Sequence, residues 1–183
     1  PFGLQVYNRN NKSNSVSWPP KSDYIPYSKV KSTNAAGVLE SMLLADDGLI
    51  FLMATLEHPN LGYKSKTDVL FFKTDFNGKK AKKVWLTKSK HINECKISSV
   101  KLGKNYLIAW GIGNDYNNNW KPGNITLAMV DKDGSFVINP SQYNNGFGTY
   151  SNLIKVNTKK VFYILTTNHS KTIKVNTIFI GSK

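Results

Sequence analysis

Hydrophobic residues occur in short runs along most of the chain, and polar turn residues separate one run from the next. Between residues 95 and 140, four such runs are rich in β-branched and aromatic side chains, with clusters of Gly, Asp and Asn between them. These runs are residues 97–102, 106–110, 125–130 and 136–138. Runs of this kind bounded by turn residues are typical of strands joined by hairpins. The segment therefore predicts four antiparallel strands in one sheet.

The same arrangement is repeated on either side of this segment. The apolar–turn–apolar pattern around Leu44 recurs around Leu102 and again around Val156. A second hairpin also recurs, with residues 75–78 and 131–134 as its turns, whereas the third copy contains only three of the four strands. The chain thus contains a unit of about 55 residues that occurs nearly three times, which is the period expected of a repeat architecture.

A repeated four-stranded unit resembles, in its pattern, the blades of β-propellers in general, and the resemblance covers residues 36–183. It implies an all-β, propeller-like fold with about three four-stranded antiparallel blades in one domain. Residues 36–45 taken alone favour a helix, because Ala, Leu, Glu and Met are good helix formers, but the repeat predicts a strand there. The expected segments are N-terminal strands and a connector at 1–35, blades at 36–92 and 93–148, and an incomplete blade at 149–183.

The predicted ring is incomplete, because propellers have roughly four to eight blades. An open sector would leave sheet edges and an apolar blade face exposed, which proteins avoid. We therefore expect another chain to complete the ring, as a homodimer or as a processed partner fragment. A β-trefoil, which also has three four-stranded repeats, is the alternative fold.

Blade topology places the connections between the second and third strands, and those between blades, at one face. These segments carry all three histidines together with aromatic residues and many asparagines. Aromatic rings beside amides and carboxylates suit sugars, and function concentrates in loops on rigid scaffolds. We therefore predict a non-enzymatic binding module that recognises carbohydrate or protein through this loop-rich face, with inert turn-forming loops as the alternative. The candidate ligand-binding residues are His58, Asn60, Tyr63, His91, Asp115, Tyr116, Trp120, Asn168 and His169.

A propeller glycoside hydrolase is the alternative enzymatic function. Glycosidases use a pair of carboxylates, for which Glu57, Glu94 and Asp115 are the candidates. Sialidase chemistry is excluded, because that family uses three arginines and Arg9 is the only arginine in this chain. The histidines are far apart in the sequence and lack the spacing of a metal-binding motif, so neither a metal nor another cofactor is expected.

The chain is strongly basic, with a formal net charge of +14, and all but one of its 25 basic residues are lysines. Polyanion or nucleic-acid binding by the lysine-rich surface is therefore a further alternative function. Specific nucleic-acid recognition is disfavoured, because it relies on the bidentate guanidinium of arginine. The densest cluster of lysines lies at residues 79–83.

Compartment and redox state are only weakly constrained by the sequence. Cys95 is the only cysteine, so no intrachain disulfide is possible, and a buried thiol is expected. No apolar stretch approaches the roughly 20 residues of a membrane span. Glycosylation triplets begin at Asn11, Asn124 and Asn168, but chance matches are expected in a chain so rich in asparagine. A secreted or extracellular location is favoured.

Overall fold

The computed structural model of the protein describes ten segments of the chain. These segments are residues 2–7, 13–18, 37–58, 62–78, 80–89, 92–113, 124–143, 150–157, 159–167 and 170–179. Every regular element within them is a β-strand, and no helix occurs among the described residues, which confirms the predicted all-β class with antiparallel sheets. The chain divides into two compact units, Pro1–Lys90 and His91–Lys183.

The first unit contains a two-stranded hairpin followed by a four-stranded antiparallel sheet. The hairpin pairs strand β1 (Phe2–Tyr7) with strand β2 (Ser13–Trp18). The sheet consists of β3 (Gly37–Ala45), β4 (Gly48–His58), β5 (Gly62–Thr74) and β6 (Ala81–Trp85), and these strands lie side by side in chain order. The segment with strong helix formers is thus a strand, because every residue of β3 except Glu40 at a bulge pairs with β4.

The two central strands of this sheet are buried on both faces. Phe51, Met53, Leu70 and Phe72 form a cluster on one face, in which the Phe51 and Phe72 rings are tilted with their centroids 6.1 Å apart. Residues at alternate positions, such as Leu52 and its partner Phe71, are fully buried on the other face. Burial on both faces explains the continuous apolar runs at residues 49–54 of β4 and 69–72 of β5, since an alternating pattern marks strands with one solvated face.

Two lysines of the cluster at residues 79–83, Lys82 and Lys83, lie on an edge strand. The sheet order places β6 at the edge, where Lys82 is exposed and burial lowers the pKa of Lys83 below its usual value. Charged residues on an edge strand, lysine especially, prevent pairing with the edge of another sheet. This position therefore gives Lys82 and Lys83 a structural role that needs no polyanion.

The second unit contains a four-stranded and a three-stranded antiparallel sheet. The first has β7 (Asn93–Leu102), β8 (Asn105–Gly113), β9 (Ile125–Val130) and β10 (Phe136–Tyr143), again adjacent in chain order. All four strands predicted between residues 95 and 140 are therefore confirmed. The second sheet has β11 (Tyr150–Lys155), β12 (Lys160–Thr167) and β13 (Ser170–Phe179).

The two sheets of the second unit share a hydrophobic core. Leu107, Ala109 and Met129 of the four-stranded sheet belong to the same buried cluster as Leu153 and Val161 of the three-stranded sheet. The first strands of the two sheets are also joined by a buried hydrogen bond. The Leu153 backbone N–H donates to Ser98 Oγ, with 2.8 Å between the heavy atoms. The two sheets of this unit therefore pack against each other.

The turns between third and fourth strands have the same local structure in both four-stranded sheets. Asp75 follows β5 and accepts a hydrogen bond from Asn77 N at its Oδ1, over 3.1 Å. Asp131 follows β9 and accepts bonds from Asp133 N and Ser135 N at 2.8 and 2.9 Å. An Asx side chain that bonds the backbone two residues ahead fixes a turn. The predicted turn chemistry at 75–78 and 131–134 thus has a direct physical basis.

Candidate binding site

Each sheet has two distinct ends. At the turn end, two-residue turns at 46–47 and 103–104 join the first strand to the second. At the connection end, the second strand leads into the third through residues 59–61, 114–123 and 168–169 in the three sheets. The connections of the first and third sheets are shorter than predicted, because backbone pairing continues to His58↔Gly62 and Thr167↔Ser170.

The predicted ligand-binding residues are described by the structure only in part. Within the first sheet, His58 and Tyr63 lie in β4 and β5 at the connection end. Glu57, a candidate carboxylate, pairs with Tyr63 in the backbone register. The remaining predicted residues lie outside the described residues: Asn60, His91, Asp115, Tyr116, Trp120, Asn168 and His169. The backbone register thus brings together Glu57, His58 and Tyr63.

Buried polar residues lie at the connection end of the first four-stranded sheet. Asp68 is fully buried and stands opposite Thr55, which is buried as well. Asp68 Oδ1 accepts hydrogen bonds from Ser89 N at 2.8 Å and from Thr87 Oγ1 at 3.4 Å. Thr87 Oγ1 in turn accepts a bond from Val69 N at 2.8 Å. This network fastens the segment that follows β6 to the start of the buried part of β5.

The connection end of the second four-stranded sheet also contains buried polar groups. Asn93 and Glu94 begin β7 and are 2% and 7% exposed. Trp110 and Thr126 face each other across β8 and β9 and are 2% and 3% exposed. Glu94 stands opposite Ile112, two residues beyond Trp110 in β8, so it shares the sheet face of Trp110 and Thr126. Glu94 is thus the one candidate carboxylate whose side-chain burial the structure describes.

A strained bulge interrupts β7 beside these residues. The register shifts between Cys95↔Gly111 and Ser98↔Ala109, so that Lys96 and Ile97 together oppose Trp110. Lys96 has a φ of 54°, in the left-handed region that residues other than glycine seldom occupy. Bulges with a left-handed first residue normally carry glycine there, and bulges are frequent next to active sites. The backbone is therefore strained within the same small region as the buried polar groups.

Lys96→Gly is expected to stabilise the protein. The left-handed conformation costs a non-glycine residue roughly 1–2 kcal/mol, and the greater freedom of glycine in the unfolded chain offsets about 0.4–1 kcal/mol of that gain. A net increase of about 0.5–1 kcal/mol in the free energy of unfolding should appear in urea denaturation. Lys101→Gly in the same strand is the control and should destabilise the protein. An equal loss in both variants would show that the position carries no strain.

Several residues of this region were not singled out by sequence reasoning. Asp68, Trp110 and Thr126 lie within apolar runs and read as ordinary strand positions. The sequence did offer one signal for Asp68, which directly precedes the apolar run at residues 69–72. A carboxylate next to a buried strand segment needs hydrogen-bond partners, because burying an unpaired charge costs free energy. No comparable signal marks Trp110, because a tryptophan in a strand is ordinary.

Metal and membrane features can be stated for the described segments. None of these segments contains three or more His, Cys, Asp or Glu residues grouped so that they could hold a metal ion. Within the part of the chain that the structure describes, no helix is long and apolar enough to cross a membrane. Cys95 is buried and is not part of a disulfide bond.

Comparison with known proteins assigns no family to the chain. No protein-family model matches it, and no curated protein matches it in sequence.

Proposed function

We propose that this chain is a non-enzymatic carbohydrate-binding protein built from β-propeller-type blades, and that it binds its ligand at the connection end of the sheets. The repeated architecture supports the blade interpretation. Two sheets have four antiparallel strands in chain order, a third has three, and the sheets of the second unit pack against each other. Consecutive four-stranded sheets of this kind are the building unit of propellers.

A partner chain completes the ring in this proposal. On β3, Leu39, Met42 and Leu44 stand opposite Met53, Phe51 and Leu49, so they extend the apolar cluster of the first sheet. All three are more than half exposed. Contiguous exposed apolar surface is typical of an interface. Light scattering should therefore give the mass of a dimer or larger assembly, and a stable monomer would exclude the shared ring.

The distribution of buried polar residues is the observation that carries the binding proposal. In both four-stranded sheets, polar or charged side chains are buried mainly at the connection end: Thr55, Thr67 and Asp68 in one sheet, and Asn93, Glu94 and Thr126 in the other. Buried polar groups are costly unless they are hydrogen-bonded, and sites place a few of them among apolar residues to orient a ligand.

The chemistry of this end favours a carbohydrate over a protein ligand. Tyr143 ends β10 opposite Ile125, and its ring is exposed at the connection end. The segment between β8 and β9 adds Tyr116 and Trp120 together with Asp115 and several asparagines. Aromatic faces suit the apolar face of a sugar ring, while amides and carboxylates suit its hydroxyls.

A glycan array with the intact chain tests the proposal. The wild-type protein should bind neutral glycans, and Tyr143→Ala and Trp120→Ala should each weaken binding about fivefold, because an aromatic contact of this kind contributes about 1 kcal/mol. Phe76→Ala is the matched control, because Phe76 is an exposed aromatic residue at the turn end. A blank array, or equal affinity in all variants, would refute the proposal.

Salt dependence separates this function from binding by charge alone. Contacts between lysines and a polyanion release counterions, so their affinity falls steeply as salt rises. Binding of neutral glycans should change little with salt. Binding restricted to sulfated glycans and abolished by salt would identify the lysine surface as the site.

Glycoside hydrolysis is the second candidate function, and the position of Glu94 favours it. Its carboxylate is buried on the first strand of the sheet at the connection end, the kind of environment that suits a general acid. Hydrolysis needs a second carboxylate on the other side of the scissile bond. Release of reducing sugar from a polysaccharide panel, abolished by Glu94→Gln, would establish an enzyme. No turnover on the panel would exclude it.

A further inference from the structure

Two neighbouring residues on one face of the sheet β7–β10 each carry a buried polar atom. Trp110 and Thr126 are directly opposed in the β8–β9 register, so their side chains are neighbours on the same face. Trp110 Nε1 and Thr126 Oγ1 are both inaccessible, and neither has a hydrogen-bond partner among the described residues. Buried polar groups of native proteins are rarely left in this state. A third group that bonded to both atoms would satisfy them.

The surroundings of this pair distinguish it from an isolated buried hydroxyl. The carboxylate of Glu94 lies on the same face, one pair of residues nearer the connection end. The strained bulge at Lys96 stands directly opposite Trp110. Backbone strain of this kind persists where the surrounding structure enforces it, and it concentrates at ligand and active sites. Three independent features thus converge on one point of the sheet.

The donors and acceptors of these side chains determine which chemical group could bond to them. Trp110 Nε1–H only donates, the Thr126 hydroxyl donates or accepts, and an ionised Glu94 only accepts. A hydroxyl group matches this set, because its oxygen accepts from Trp110 while its proton goes to Thr126 or Glu94. An anion would be repelled by the carboxylate, and a cation finds no acceptor at the indole N–H.

We propose that Trp110, Thr126 and Glu94 form the inner end of the carbohydrate site and bind one hydroxyl group of the sugar. This inference rests on the proposed function and identifies residues that bond directly to the ligand. In this arrangement the polar group fixes the orientation of a sugar bound at the connection end. A buried water offers the same hydroxyl chemistry, so the experiment has to separate these two sources.

Two conservative variants test the assignment. Trp110→Phe keeps an aromatic ring but removes the N–H, and Thr126→Val keeps the shape but removes the hydroxyl. Each should weaken the tightest neutral glycan of the array about fivefold to tenfold, which is the effect of one hydrogen bond. Trp85→Phe and Thr74→Val are matched controls in the other four-stranded sheet and should leave the affinity unchanged. Thermal unfolding of Thr126→Val without glycan should match that of the wild-type protein.

The indole N–H resonance of Trp110 gives a second readout, which needs no glycan from the array. Titration with glucose, galactose, mannose and N-acetylglucosamine should shift this resonance for at least one sugar, and should leave the Trp85 resonance in place. A structural water predicts the reverse of the variant results: Thr126→Val would lose stability while glycan affinity stayed unchanged, and the inference would be overturned.

The two proposals fail in different ways. Array binding that is equally strong in Trp110→Phe, Thr126→Val and wild type overturns the inference but leaves the proposed function intact. A blank array together with a Trp110 resonance that no sugar shifts overturns both. A blank array with a shifted Trp110 resonance supports the hydroxyl site and contradicts glycan binding through the aromatic residues.

Discussion

Gly48→Ala is expected to destabilise the first unit severely. Gly48 follows the turn at 46–47 and pairs with Ala45 at the start of β4. A Cβ at this position would lie 1.9 Å from the Thr74 carbonyl oxygen and 2.9 Å from the Thr74 carbonyl carbon. Both are backbone atoms of β5 next to the Asp75 turn, so they cannot rotate away. We expect a loss of about 3 kcal/mol or more, at the upper end of overpacking effects, measured by urea denaturation.

Gly103→Ala in the equivalent turn of the second four-stranded sheet is the matched control. Gly103 has a φ of 61°, but a Cβ there would meet nothing within 4 Å. Gly103→Ala should therefore lower the free energy of unfolding only through backbone strain, by roughly 1–2 kcal/mol. The order of the two losses is the critical result. If Gly48→Ala proved as stable as Gly103→Ala, the close approach of β5 to the first turn would be wrong.

Asp68→Ala is expected to lower the free energy of unfolding by about 3 kcal/mol, because it leaves buried hydrogen-bond donors unsatisfied. Asp68 Oδ1 accepts bonds from Ser89 N and Thr87 Oγ1, and these bonds hold the segment after β6. Asp68→Asn retains an acceptor oxygen in the same place and should recover more than half of the loss. Urea denaturation of both variants measures the difference.

Asp131 provides the control for burial. Its Oδ1 also accepts two backbone hydrogen bonds, from Asp133 N and Ser135 N, but in a partly exposed turn. Water can replace these bonds, so Asp131→Ala should cost only about 1 kcal/mol. Equal losses in the free energy of unfolding for Asp68→Ala and Asp131→Ala would mean that burial does not strengthen the contribution of the Asp68 hydrogen bonds to stability.

The strands and turns of the fold are predictable from the sequence because they depend on local chemistry. Branched and aromatic runs require extended backbone, and Asp75 and Asp131 fix their turns through bonds to residues only a few positions ahead. The repeat also resolves the one ambiguous segment, residues 36–45, whose composition favours a helix. For this segment, comparison with the other copies of the repeat predicts the structure better than helix propensity does.

Features that depend on distant residues are not predictable in this way. Position 48 requires glycine because β5 places the Thr74 carbonyl group where a Cβ would lie. The left-handed Lys96 contradicts its residue type, because the preference of lysine for φ below zero is overridden by the packing around the bulge. Backbone pairing also extends to His58↔Gly62, so the connection is shorter than its polar composition indicates.

Sequence reasoning proposes a location for the candidate site but does not identify all of its residues. Sequence reasoning directs attention to the connection end through His58, Tyr63 and the residues between β8 and β9. It also includes Glu94, which the structure places among buried polar groups. It misses Trp110 and Thr126, because only the register of β8 and β9 makes them neighbours on one face.

Amide chemical-shift mapping tests the location of the site most directly. Titration with the tightest neutral glycan should shift the amide resonances of Gly113, Ile125 and Tyr143 at the connection end. The amides of Gly103 and Gly134, at the turn end of the same sheet, should remain in place. Shifts concentrated at Gly103 and Gly134, with Gly113 and Ile125 unaffected, would contradict ligand binding at the connection end.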